Sequence, residues 1–148
     1  MIVHDPYLPC EEFEKAKVEQ VDLETLLRDA DYVTLHTILT KETHHLIDEA
    51  RLHLMKENAY LINTSRGPLI DKASLYKALK EGWIAGAALD VLEEEPVKPD
   101  NPLLQLDNII ITPHMAWYSE DVLVEVQRIT AENIAEVLRG EVPKNLVK

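Results

Sequence analysis

Tyr60-Leu61-Ile62-Asn63-Thr64-Ser65-Arg66-Gly67 is the stretch on which the reading of this chain turns. Its first three residues are apolar and β-branched enough for a buried strand. From Leu69 to Leu79 apolar residues recur at the 3.6-residue period of a helix. Arg66 therefore stands where a parallel strand ends and the chain turns into its crossover helix, the edge at which open α/β sheets bind ligands. Two later segments answer it. The strand predicted for Ile84 to Leu89 ends on Asp90 and runs into Val91-Leu92-Glu93-Glu94-Glu95-Pro96. The strand predicted for Ile109-Ile110-Ile111 ends on Thr112-Pro113-His114. Three consecutive strands thus bring an arginine, acidic residues and a histidine to one rim, which makes that rim the candidate site.

Towards the N-terminus, Met1 to His4 reads as a very short strand, closed by Asp5 because Pro6 blocks further pairing. Glu11 to Glu19 is predicted to be a charged helix, and Leu23 to Ala30 a second one capped by Asp22. Tyr32 to His36 is a strand, and Thr43 to Met55 a loop followed by a short helix. Towards the C-terminus, Gly82 suits the residue that ends a helix. The small residues Ala85 to Ala88 let a helix or ligand approach the backbone. Glu120 to Arg139 is the longest helix, ended by Gly140, and Glu141 to Lys148 is an irregular tail. Five strands alternating with helices predict an α/β fold, an open parallel five-stranded sheet with helices on both faces, in one domain over residues 1–148.

Composition narrows the function classes. With 148 residues, 46% apolar and 28% charged, the chain can bury a core and resembles ordinary globular proteins. A net charge of −12 argues against nucleic acid and anionic membrane as partners, since both need basic surface. Cys10 is the lone cysteine, so no internal disulfide forms, which fits a reducing cytoplasm as the expected location. The start lacks a basic region followed by an apolar one, and no apolar run approaches the roughly 20 residues of a membrane helix. His4, His36, His44, His45 and His53 read as structural or surface residues, and no metal is expected.

Asn-Thr-Ser-Arg-Gly at 63–67, Gly-Ala-Ala-Leu-Asp-Val at 86–91 followed by Glu-Glu-Glu-Pro, and Thr-Pro-His-Met-Ala-Trp-Tyr-Ser-Glu at 112–120 together resemble the NAD-dependent D-2-hydroxyacid dehydrogenases. The Ala-Trp-Tyr-Ser ending looks most like the branch of glyoxylate/hydroxypyruvate reductases and C-terminal-binding-protein corepressors. Each motif alone is weak; their order and spacing are specific. The resemblance implies Arg66, Glu95 and His114 as catalytic residues, with a small 2-hydroxy or 2-keto acid as substrate. The residue chemistry agrees. Taking a hydride from C2 of a hydroxy acid needs a base for the hydroxyl proton, and an imidazole titrating at about 6.5 suits that. Glu95 can orient the ring and favour its charged form. Arg66 offers a planar fork for a carboxylate.

NAD is the implied cofactor. An acidic residue closing a short strand suits the two hydroxyls of an adenosine ribose and repels a 2′-phosphate, and Asp5 holds that position. The resemblance further implies that Thr37 and Thr43 line the adenine and phosphate side. Thr64, Ser65, Arg66, Asp90, His114, Ala116 and Trp117 would then lie on the nicotinamide side. Ile38 departs from the family's proline in the first of these loops.

The four glycines (Gly67, Gly82, Gly86, Gly140) form no Gly-x-Gly-x-x-Gly turn, and the family's separate substrate domain has no counterpart here. The chain therefore resembles the C-terminal part of a dehydrogenase, expected to turn over poorly by itself and to hold NAD weakly. In the strand order 3-2-1-4-5-6 the strand before that glycine turn is central. Its loss predicts closure of the gap, about 4.8 Å wide, into a flavodoxin-like order 2-1-3-4-5, with Met1–His4 paired to both Tyr32–His36 and Ala59–Asn63. Strand exchange in a homodimer is the other solution. A non-catalytic, NAD-responsive interaction module of the corepressor type is the competing function. A signalling receiver is excluded, because Asn63 and Thr112 stand where it needs aspartate and lysine.

Overall fold

The structure, a computed structural model, describes residues 1–146. Two stretches with very different side chains make its two parallel sheets. β1 (Ile2–Val3) lies beside β2 (Glu19–Gln20), with Ile2 opposite Glu19 and Val3 opposite Gln20. The second sheet takes β3 (Tyr32–Leu35), β4 (Tyr60–Asn63), β5 (Gly86–Leu89) and β6 (Ile109–Ile111), adjacent in space in chain order. All its pairings are parallel, so each crossover passes over the same sheet and every strand ends on one rim.

Burial along the four-stranded sheet alternates as the pleat requires. Val33, Leu35, Leu61, Asn63, Ala87 and Leu89 are buried on one face. That face packs on Leu27 from α2 (Leu23–Asp29), Leu52 from α3 (Glu49–Leu52), and Leu75, Ala78 and Leu79 from α4 (Lys72–Glu81). The other face bears Tyr32, Thr34, Tyr60 and Ile110, all exposed. Tyr32 and Tyr60 are partners in register and their rings stack at 5.6 Å. Sequence sets the helix ends: Asp22, Asp48 and Asp71 each accept a backbone N–H in the first turn of α2, α3 and α4. Gly82 closes α4 with φ +74°, where a side chain would be strained.

Three sequence expectations need correction. Residues 19–20 are not the end of a helix: α1 stops at Ala16 (Cys10–Ala16), Lys17 takes the left-handed conformation, and β2 follows. That strand is two residues long with both side chains exposed, so it leaves no apolar run to detect. Its presence moves every later strand along by one. Met1–His4 therefore pairs with neither Tyr32–His36 nor Ala59–Asn63; its partner is β2, and β3 pairs directly with β4. The five-stranded sheet of order 2-1-3-4-5 is replaced by a pair and a foursome, with no ladder joining β1 to β3 among the described residues.

The chain forms two compact units. One runs to His114; the other starts at Met115. The second contains α5 (Glu120–Leu138), capped by the Ser119 hydroxyl on Val122 N–H at 3.2 Å. None of its residues is buried, and Val124, Val126, Ile134, Val137 and Leu138 are exposed. No described helix is long and apolar enough to cross a membrane.

Candidate active site

The rim at the ends of β4, β5 and β6 is stitched by backbone and side-chain bonds. Asn63 is fully buried at the end of β4. Its side-chain carbonyl accepts Ser65 N–H at 3.0 Å, and its amide donates to Arg66 C=O at 2.8 Å, which folds the turn that carries Arg66. The Ser65 hydroxyl ties that turn to β3 through Leu35 C=O at 2.8 Å. Asp90 N–H donates to Asn63 C=O, Thr112 N–H to Leu89 C=O, and His114 N–H to Asp90 C=O. The Thr112 hydroxyl donates to the buried Asp90 carboxylate at 2.5 Å. Each strand end is thereby fixed to the next.

On this frame Glu95 and His114 meet. Glu95 Oε2 lies 2.8 Å from His114 Nδ1, and its Oε1 accepts Leu92 N–H at 2.9 Å. An ionised carboxylate only accepts, so the proton between them sits on Nδ1. The carboxyl of Glu95 is held below the usual carboxylate range, first by the hydrogen bond from His114 and then by Leu92 N–H, against its partial burial and the charge of Asp90. His114 has φ +53°, a conformation uncommon for a side-chain-bearing residue and concentrated at functional sites. Arg66 is exposed, and its guanidinium donates to Ser65 C=O at 2.6 Å. Gly67 permits the close crossing behind it, because a Cβ there would run into the backbone of Leu92 and Glu93.

Residues 1–116 match the NAD-binding domain of the D-isomer specific 2-hydroxyacid dehydrogenases. The chain belongs to that family. It is 53% identical over 138 residues to a glyoxylate reductase of Korarchaeum cryptofilum, which covers 93% of this chain and 42% of that protein. It is 51% identical over 148 residues to a D-3-phosphoglycerate dehydrogenase of Methanocaldococcus jannaschii, covering 99% of this chain and 28% of that one. Among solved structures, the NAD-complexed D-isomer specific 2-hydroxyacid dehydrogenase of Lactobacillus delbrueckii ssp. bulgaricus is similar with a TM-score of 0.85 at 35% identity, over 99% of this chain and 48% of that one. A D-lactate dehydrogenase of Aquifex aeolicus complexed with NAD and lactic acid gives 0.85 at 34%, over 95% and 46%. The chain spans less than half the length of each.

NAD is thus the cofactor of the family to which this domain belongs, and the residues present suit its adenosine end. At the close of β1 a cavity of about 320 Å³ is lined by His4, Asp5, Pro6, Gln20, Val21 and Asp22. Asp5 Oδ1 accepts Tyr7 N–H at 2.8 Å and Leu8 N–H at 3.2 Å, which sets the carboxylate at the strand end where a ribose diol would be read. Gln20 of β2 and Val21 supply the opposite wall of this cavity, which the sequence reading did not show. Thr43 lies in a loop closed on itself, its hydroxyl donating to Ile38 C=O at 2.7 Å and bonding Thr40 N–H at 2.7 Å. Thr37 is half-buried and Thr64 exposed. Ala116 and Trp117 belong to the second unit, where the Trp117 ring meets Tyr118 edge-on at 5.9 Å.

Sequence reasoning passed over two participants: Asn63 as organiser of the arginine turn and Thr112 as partner of Asp90. An Asn closing a strand two residues before Ser is an Asx-turn signal that could have flagged the first. The other depends on a spatial neighbour far along the chain.

Proposed function

We propose that this chain supplies the cofactor half of an oxidoreductase that moves a hydride between NAD(H) and C2 of a small D-2-hydroxy or 2-keto acid. The contact of Glu95 with His114, 2.8 Å apart across 19 residues, carries the reading. When bound, NAD provides the acceptor for the hydride. His114, its Nδ1 engaged by Glu95, takes the hydroxyl proton at Nε2 as a general base and returns it in the reverse direction. Glu95 fixes the ring and stabilises the imidazolium. Arg66 turns from Ser65 C=O to hold the substrate carboxylate with two parallel hydrogen bonds. Asp5 binds the adenosine ribose and disfavours a 2′-phosphate. Turnover needs, besides these residues, a clamp on the cofactor pyrophosphate and an oriented substrate.

The test is a chimera in which this chain replaces the matching segment of a full-length glyoxylate reductase. NADH oxidation with glyoxylate should be retained, and His114→Ala within the chimera should lower kcat/KM by about 10²–10⁴-fold. A chimera as active with His114→Ala as without it would overturn the assignment.

A further inference from the structure

A second group of side chains lies beside the rim, on residues the proposed chemistry does not use. His45 sits in the loop between β3 and α3, its N–H bonded to Pro68 C=O at 2.8 Å. Its ring is gripped from both sides: Nδ1 is 3.3 Å from Asp71 Oδ2 and Nε2 is 2.8 Å from Glu93 Oε1. A neutral imidazole carries one N–H for these two acceptors, so its other nitrogen turns a lone pair towards a carboxylate, an arrangement that either a second proton or a bound cation satisfies. His44 packs against the same ring, with centroids 4.0 Å apart. One nitrogen of each histidine and one carboxylate oxygen of Glu93 all lie within 4.8 Å of one another.

We infer that His44, His45 and Glu93 form a binding site for a divalent transition-metal ion of the zinc class, resting on no part of the dehydrogenase reading. The donor set is right for it, since two imidazoles and a carboxylate suit Zn²⁺, Ni²⁺ or Co²⁺ far better than Mg²⁺ or Ca²⁺. Asp71 Oδ2, 3.3 Å from Nδ1, stands where a metal-bound histidine needs its outer partner, and a proton held on Nδ1 would leave the Nε2 lone pair for the ion. Asp71 is itself anchored as the cap of α4, accepting Ser74 N–H at 2.7 Å. The loop conformation is specified too. His45 holds φ +52°, which brings two adjacent histidines to the same carboxylate and costs local strain.

Little has to move. Four-coordinate zinc with bonds of about 2.0–2.1 Å spaces its donors by roughly 3.3 Å. The His45–Glu93 pair, now 2.8 Å apart, would open by about half an ångström, and the exposed His44, within 4.8 Å of both, would swing in by at most about 1.5 Å. Further positions stay available to water or another anion. The ion would clamp the loop after β3 to the acidic run after β5, two residues before Glu95.

The test uses the purified chain, stripped with a chelator and titrated calorimetrically with ZnCl₂ near neutral pH. One ion per chain is expected. His44→Gln and Glu93→Gln should each weaken binding at least tenfold, and Asp71→Asn, which keeps a cap acceptor, about tenfold. His36→Gln, whose ring bonds the Thr34 hydroxyl and is not one of the clustered ligands, should leave it unchanged. A readout that needs no variant is Co²⁺: the wild-type chain should develop the visible d–d bands of a low-coordinate nitrogen–oxygen site. Absence of those bands with no calorimetric uptake overturns the proposal. So does uptake that Glu93→Gln and His44→Gln leave unaltered.

Discussion

At Glu95 a single carboxylate serves two donors, His114 and Leu92 N–H, and both favour its ionised form. The folded protein therefore takes up a proton at Glu95 only at lower pH than the unfolded chain does, relative to an ordinary value of 4.5. Between the two values the unfolded chain binds more protons, so stability there rises with pH. The contribution is complete above the ordinary value and fades as pH falls through the folded one. Glu95→Gln should accordingly lower the melting temperature at neutral pH, and the gap between variant and parent should narrow on acidification. Thermal melts across that range check it; a constant gap would show that the carboxylate is not held by these donors. Arg66 allows a second test at this scale. In the chimera, Arg66→Lys keeps the charge but loses the fork, and should raise KM for glyoxylate about tenfold or more, since hydrogen bonds to charged groups are worth roughly 1.5–3 kcal/mol. An unchanged KM would remove Arg66 from the substrate carboxylate.

Elements meet at the rim through backbone, so the tightest constraint there falls on a residue without a side chain. Gly67 starts the short 3₁₀ turn after β4 and lies directly against the backbone of Leu92 and Glu93. Backbone on both sides cannot yield as a flexible side chain would. Gly67→Ala should destabilise the chain by about 1–3 kcal/mol, the usual range for overpacking, with a lower urea midpoint and an unchanged m-value. A variant as stable as the parent would mean that the two loops part easily. The Asn-Thr-Ser-Arg-Gly motif was legible as a functional turn, but the reason for its glycine was not, because Leu92 lies 25 residues further on. Caps behaved differently. Asp22 and Gly82 were readable at once, since a cap bonds within its own first or last turn.

Across the whole molecule, the two sheets differ in what protects them. β3 to β6 stand over a core of Leu27, Leu52, Leu61, Leu69, Leu75 and their neighbours, whereas β1 and β2 share only a two-residue ladder. A two-stranded pair with little buried surface is marginal by itself. Amide exchange should therefore be slow at Leu61, Ile62, Ala87 and Ala88 and much faster at Val3 and Val21, whose bond reaches Val3 C=O at 3.0 Å. Equal protection in both sheets would show that the small sheet is held by more than its ladder. The chain's local signals determined the α/β class, the four apolar strands, the helix ends at Asp22 and Gly82 and the three rim residues, because each rests on periodicity or chemistry within a few neighbours. Pairing was decided elsewhere. Glu19 and Gln20 carry no apolar pattern, and they are a strand only because β1 lies parallel to them; once that pair forms, β3 takes β4 as its neighbour and the five-stranded order is lost. The same holds for His45. Its loop is ordinary in sequence, and only the tertiary structure sets Asp71 and Glu93 on either side of its ring, since long-range neighbours are chosen by packing and not by spacing along the chain.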